Sequence, residues 1–157
     1  MTLKHSKGNL LDLAEAGEFD VIVHGCNCFN TMGAGIAREI RDRYPAAWSS
    51  DSMTTRGDYN KLGNWSVGLN DLTDQKFIII NAYTQFNISA GKDVFEYSAF
   101  ALILQKLEYT FGNQRIGLPY IGMGLAGGKK DVIIPMIEYF AKSVTDRGGT
   151  VTLVEFA

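Results

Sequence analysis

Both cysteines and one of the two histidines fall within His24-Gly25-Cys26-Asn27-Cys28, shortly ahead of a glycine-rich turn, Gly33-Ala34-Gly35-Ile36. A second glycine-rich stretch, Gly122-Met123-Gly124-Leu125-Ala126-Gly127-Gly128, follows Gly117-Leu118-Pro119-Tyr120 and precedes Lys129 and Lys130. Glycines between a strand end and a helix let backbone N–H groups and the helix N-terminus approach an anion. Two such loops in one chain point to a diphosphate held between two backbone cradles, an arrangement that needs no net positive charge.

Other chemistry is open to the same residues. Gly33-x-Gly35 is half of a dinucleotide fingerprint, but Arg38 stands where the third glycine belongs, and the loop is long for that tight turn. No G-x-x-x-x-G-K-[ST] string occurs. His24, Cys26 and Cys28 with His5 would supply four zinc ligands, although structural zinc favours C-x₂₋₄-C knuckles. The bland reading makes the cysteines small buried hydrophobes and His24 a hydrogen-bonded residue at a strand end.

The elements that must position these loops follow from apolar patterning. Phe19 to Val23 and Lys76 to Tyr83 are β-branched runs without polar alternation, as in strands buried on both faces. Gly35 to Tyr44 has the stripe of an amphipathic helix, stopped by Pro45. Leu62 to Leu69 alternates and can form a hairpin with the isoleucine-rich run through a turn at Asn70-Asp71. Val94 to Phe111 predicts a deeply packed helix and Arg115 to Ile121 a strand. Asp131 to Arg147 predicts a helix that tolerates Pro135 only in its first turn, and Thr150 to Phe156 a closing strand. Ala46 to Asn60 is polar and expected to be irregular. Lys92 and Asp93 would either approach a bound ligand from their loop or cap the buried helix, with Asp93 as the N-cap candidate. The interleaving predicts an α/β protein, a three-layer α/β/α sandwich with a mixed central sheet, in one domain over 1–157.

Composition narrows the function classes. The formal net charge is −2, from 15 basic and 17 acidic side chains, so generic nucleic-acid binding is not expected. Two cysteines and three prolines exclude a disulfide scaffold and a Pro-rich linker. The apolar run Phe77 to Ile80 is far too short to span a bilayer, and the N-terminus lacks a signal-peptide core. A cytoplasmic protein without membrane association is the expectation.

In this order, the two loops resemble those of the macrodomain family of ADP-ribose binders. The likeness runs from Gly8-Asn9-Leu10 through Val23-His24-Gly25-Cys26-Asn27 and Met32-Gly33-Ala34-Gly35-Ile36-Ala37 to Pro119 through Gly127. It implies an α/β/α sandwich and a ligand, ADP-ribose or ADP-ribose 1''-phosphate, with no cofactor and no metal. By this resemblance Gly33, Ala34, Gly35 and Ile36 form one phosphate loop, and Gly122, Met123, Gly124 and Leu125 the other. Asn27 reaches the distal ribose, and Leu10 offers backbone contacts near the base. Asn9 stands where many members have an aspartate for the adenine amine, and Ala126 where many have an aromatic over the distal ribose.

The H-x-C-N-C string is similar to the subfamily of ADP-ribose 1''-phosphate phosphatases and glutamate-directed terminal ADP-ribose hydrolases. Ala126 and Gln85 replace the aspartate and lysine those hydrolases use, which disfavours a covalent sugar adduct. The leading expectation is therefore a hydrolase, a phosphatase acting on ADP-ribose 1''-phosphate, with His24 and Asn27 catalytic and His24 as acid/base or hydrogen-bond donor. The alternatives are removal of ADP-ribose from a modified protein or nucleic acid, and an ADP-ribose reader without turnover.

Overall fold

A computed structural model describes residues 2–68, 76–88 and 93–157. Six strands form one sheet: β1 (Leu3–Lys7), β2 (Val21–Cys26), β3 (Trp65–Gly68), β4 (Ile78–Tyr83), β5 (Arg115–Leu118) and β6 (Thr150–Glu155), ordered β1-β6-β5-β2-β4-β3. All neighbours are parallel except β3 and β4. The helices are α1 (Leu10–Glu15), α2 (Gly35–Arg43), α3 (Pro45–Ser52), α4 (Tyr97–Phe111) and α5 (Lys130–Asp146), with a 3-10 turn at Tyr59–Lys61.

Side chains of a strand alternate between its faces, and the central strands bury both. Val21 and Val23 of β2 join Ile80, Phe100, Ile103, Ile133 and Ile137 in one core, against α4 and α5. Ile22 and Cys26 join Leu11, Ile40, Ala47, Ile79 and Tyr83 in the other, against α1, α2 and α3. Those two cores separate the three layers of the expected α/β/α sandwich. Each fully buried isoleucine or leucine contributes about 1.5–3 kcal/mol.

The expected antiparallel pairing holds, with Trp65 opposite Ala82 and Gly68 opposite Ile79. Its turn at Asn70-Asp71, with Leu69, lies outside the described residues, as does Lys92. Five expectations are corrected. Residues 46–60 are not wholly irregular: Pro45 ends α2 but also opens α3 as its first residue, where a missing N–H is harmless and φ is preset. That helix seats on the sheet at Gly68, where a Cβ would come within 2.7 Å of Ala47 Cβ. The buried helix starts at Tyr97 and not Val94. The N–H groups of Val94 and Phe95 bond the Ala126 carbonyl, and Phe95 bridges to Gln85, so this segment is extended; Glu96, not Asp93, takes the N-cap position. Strand β5 stops at Leu118, ahead of Pro119, which has no N–H to give. Pro135 lies in the second turn of α5, where it removes one helical hydrogen bond on an exposed face that water can satisfy. No helix among the described residues is long and apolar enough to cross a membrane.

Candidate functional site

Parallel strands end together, and β1, β2, β5 and β6 deliver their C-termini to one edge of the sheet. Ligands of open α/β sheets bind at this edge. A cavity of about 760 Å³ lies there between Asn9, Gly35, Glu39, Tyr120, Gly124 and Phe156. A second, of about 450 Å³, lies between Asn27, Thr31, Ala34, Gln85, Leu125 and Ala126. Adjacent residues line the two: Gly35 and Gly124 border the larger, Ala34 and Leu125 the smaller. The cavities therefore abut at the two glycine-rich loops, which form a waist in one long cleft.

Backbone donors are available at that waist. Helix α2 begins at Gly35 with Ala34 as N-cap, and no side chain caps it, so the first-turn N–H groups and the helix dipole are open to an anion. Gly33, Ala34 and Gly35 are exposed. Across the cleft, the second loop is wound by bonds from Gly127 N–H to the Gly124 carbonyl and from Gly128 N–H to the Gly122 carbonyl. Gly122 has φ +75°, and a Cβ there would meet the Phe95 ring at 2.3 Å; only glycine fits. Gly124 and Leu125 are exposed beyond this anchor.

Among the expected polar residues, Asn27 stands at the smaller cavity. Its Nδ2 donates to Thr31 Oγ1 at 2.8 Å and its Oδ1 accepts from Phe29 N–H at 2.8 Å. Asn9 borders the larger cavity but is committed to the fold: Oδ1 accepts from the N–H groups of Leu11 and Asp12 as the N-cap of α1, and Nδ2 donates to Glu39 Oε1. Leu10 lines the same cavity and is itself buried. Ala126 lines the smaller one at 7% exposure. Gly122 and Met123 form the inner part of their loop, and Ile36 borders the larger cavity.

His24 is placed differently from the expectation that it acts on a ligand. It lies on the α3 side of β2 at 1% exposure, with Nε2 at 2.7 Å from Asn81 Oδ1. Asn81 Nδ2 donates to Ser66 Oγ and the Ala47 carbonyl, which fixes Oδ1 as acceptor and puts the imidazole proton on Nε2. The chain of donors continues from Ser66 to the Tyr83 hydroxyl and from Tyr83 to Asp51 Oδ1, each at 2.7 Å. Burial pushes the His24 pKa down to about 4, opposed by the Asn81 bond, so the ring is neutral at pH 7. Neither cavity of the cleft is lined by His24. The same layer holds buried Lys61, whose Nζ donates to the Cys28 carbonyl and to Asn30 Oδ1 and so ties down the first loop.

The zinc alternative finds no support in the geometry. His5 is on β1, with β6 and β5 between it and β2, and among the described residues no three His, Cys, Asp or Glu are grouped to hold a metal. Both cysteines are free and buried. Burial pushes the Cys28 thiol up to about 11 and the Cys26 thiol higher than its ordinary value, so neither is a ready nucleophile. A disulfide-exchange reagent at pH 8 is expected to label native protein slowly and to react with two thiols only after denaturation; rapid native labelling would contradict this placement.

Sequence reasoning missed Glu39, Tyr120, Phe156 and Thr31 as cleft residues. A signal existed for Glu39, which follows Gly35 by one helical turn and so shares its face. None existed for Phe156, whose place depends on β6 lying beside β1.

A three-layer sandwich with paired backbone cradles at its parallel strand ends defines a macrodomain-like α/β protein. No family model matches the sequence. An uncharacterized 17.5 kDa protein of Enterobacteria phage T4 is 33% identical over 150 residues, covering 92% of this chain and 93% of that one. An ADP-ribose 1''-phosphate phosphatase of Lodderomyces elongisporus is 26% identical over 136 residues, covering 81% and 85%. Of solved structures, the macrodomain of Mycobacterium tuberculosis DarG superposes with a TM-score of 0.70 at 18% identity, covering 98% and 96%. A Trypanosoma brucei macrodomain in complex with ADP-ribose gives 0.68 at 11% identity, covering 99% and 63%. The chain has the macrodomain fold and belongs to one family with the phage T4 protein.

Proposed function

We propose that the chain binds ADP-ribose along the cleft and releases the terminal phosphate of ADP-ribose 1''-phosphate. The observation that carries this reading is the waist: two cavities joined where two sets of exposed backbone donors face each other. The diphosphate lies at the waist between Gly33-Ala34-Gly35-Ile36 and Gly122-Met123-Gly124-Leu125. The adenosine occupies the larger cavity, with the Leu10 backbone near the base. The distal ribose enters the smaller one, against Ala126, with Asn27 orienting its hydroxyls. Relatives support the ligand and the reaction: the T. brucei structure holds ADP-ribose, and the Lodderomyces protein carries the phosphatase name.

The chemistry rests on positioning. Water attacks the terminal phosphorus, its bond to the 1''-oxygen breaks, and that oxygen leaves with a proton from solvent. Among the described residues, the smaller cavity offers amides from Asn27 and Gln85, the Thr31 hydroxyl and backbone N–H groups, which orient and stabilise charge without a side-chain proton donor. His24 acts as a positioning residue, holding the end of β2 through Asn81. The test is phosphate release from ADP-ribose 1''-phosphate under saturation. Release, cut at least tenfold by Asn27→Ala, is expected. Binding without release would contradict the phosphatase step and leave two readings: removal of ADP-ribose from a modified macromolecule, or a reader without turnover.

A further inference from the structure

We infer that Lys61 is a positioning residue for Asn27: by gripping Asn30 it sets the turn whose flanking residues hold the Asn27 amide. This rests on the reading that Asn27 orients the distal ribose. Asn30 has φ 58°, the one positive value outside glycine among the described residues, and asparagine tolerates that conformation. Its turn has Phe29 on one side and Thr31 on the other. Phe29 N–H donates to Asn27 Oδ1, and Asn27 Nδ2 donates to Thr31 Oγ1, each at 2.8 Å. Both ends of the amide are thus held by the neighbours of Asn30, while Oδ1 keeps a second lone pair for a ligand hydroxyl. The direction of that lone pair follows the turn.

Lys61 ties the turn to the sheet. The 3-10 turn that ends at Lys61 is followed by Gly63 and Asn64, which bond the carbonyl and the N–H of Tyr83 at the end of β4. From this base the buried ammonium lies 4.7 Å from the Tyr83 ring centroid and donates to Asn30 Oδ1 at 2.6 Å and to the Cys28 carbonyl at 3.1 Å. The other partners of Asn30 are Ser52 and Thr54, at the end of α3, and they offer only neutral groups, which make weaker bonds than a charged donor. Removing the ammonium strands no acceptor. The Cys28 carbonyl keeps Gly57 N–H at 2.7 Å, and Asn30 Oδ1 keeps the Thr54 hydroxyl at 3.3 Å. Residues 34–36 of the phosphate cradle open α2 and are carried by that helix instead.

Calorimetry with ADP-ribose, and with ADP, which lacks the distal ribose, reads the clamp. Lys61→Met keeps the stem and removes the ammonium. It is expected to weaken ADP-ribose about tenfold, as for a lost hydrogen bond to a charged group, and to leave ADP within about twofold. Asn30→Gly keeps the positive φ and removes the amide that Lys61 grips; it is expected to show the same selective loss, and it decides the matter should Lys61→Met fail to fold. In an Asn27→Ala background Lys61→Met is expected to cost nothing further, because the two act through one group. Full additivity, equal losses for both ligands, or an unchanged preference in the folded variants would overturn the inference. Asn27→Ala alone separates the two ways of failing: no effect on ADP-ribose removes the ribose reading and the inference with it, whereas an effect there and none from Lys61→Met removes the inference only.

Discussion

Gly124→Glu is expected to leave the protein folded and to weaken ADP-ribose binding more than a hundredfold. A Cβ at Gly124 has no heavy atom within 4 Å, and its φ is not in the left-handed range, so the empty cleft accepts the side chain without strain. Its carboxylate then faces the waist. Two unit charges 4 Å apart repel by about 4 kcal/mol at an effective dielectric of 20, close to a thousandfold in Kd. Gly33→Glu is its counterpart on the first loop, since Gly33 is equally unobstructed. Gly122 would be a poor choice, because any side chain there collides with Phe95 and the loop itself would move. Calorimetry paired with a thermal melt separates the two effects. An unchanged melt with unchanged affinity would contradict the diphosphate's position.

The second large effect is acid destabilisation through His24. Its folded pKa is depressed by burial from 6.5 to about 4, so between those values the unfolded chain binds the proton and the folded chain does not. The stability it contributes is fully present above pH 6.5 and is lost as pH falls toward 4. The shift corresponds to roughly 3 kcal/mol. Urea unfolding of wild type and His24→Gln from pH 7 to pH 4 should give curves that converge by about that amount, since Asp51 and the other acids are common to both proteins. Parallel curves would mean that the ring is hydrated in the folded state. The same pKa predicts that turnover shows no limb near pH 6.5.

Local pattern made much of the fold legible. Phe19 to Val23, the isoleucine-rich run before Tyr83 and the stripe from Gly35 are short-range signals, and each became the element its period implied. Helix α3 was hidden because Ser49, Ser50 and Ser52 dilute its apolar face, while its inward residues are Ala47 and an acid, Asp51. No sequence rule marks a buried carboxylate whose partner, Tyr83, lies 32 residues away. His24 shows the same limit. Alternation places it on the face opposite Val23, but which face carries α3 and which edge carries the cleft are set by strand order. The committed amide of Asn9 was likewise out of reach, because its partner Glu39 is 30 residues away on another helix.

The most direct measurement follows the backbone amides of isotope-labelled protein during titration with ADP-ribose. Saturable shifts confined to Gly33 through Ile36, Gly122 through Leu125, and the walls of the two cavities are expected at one ligand per chain. Saturation with both loops unmoved, or no saturation at millimolar ligand, would contradict the placement of the diphosphate between them.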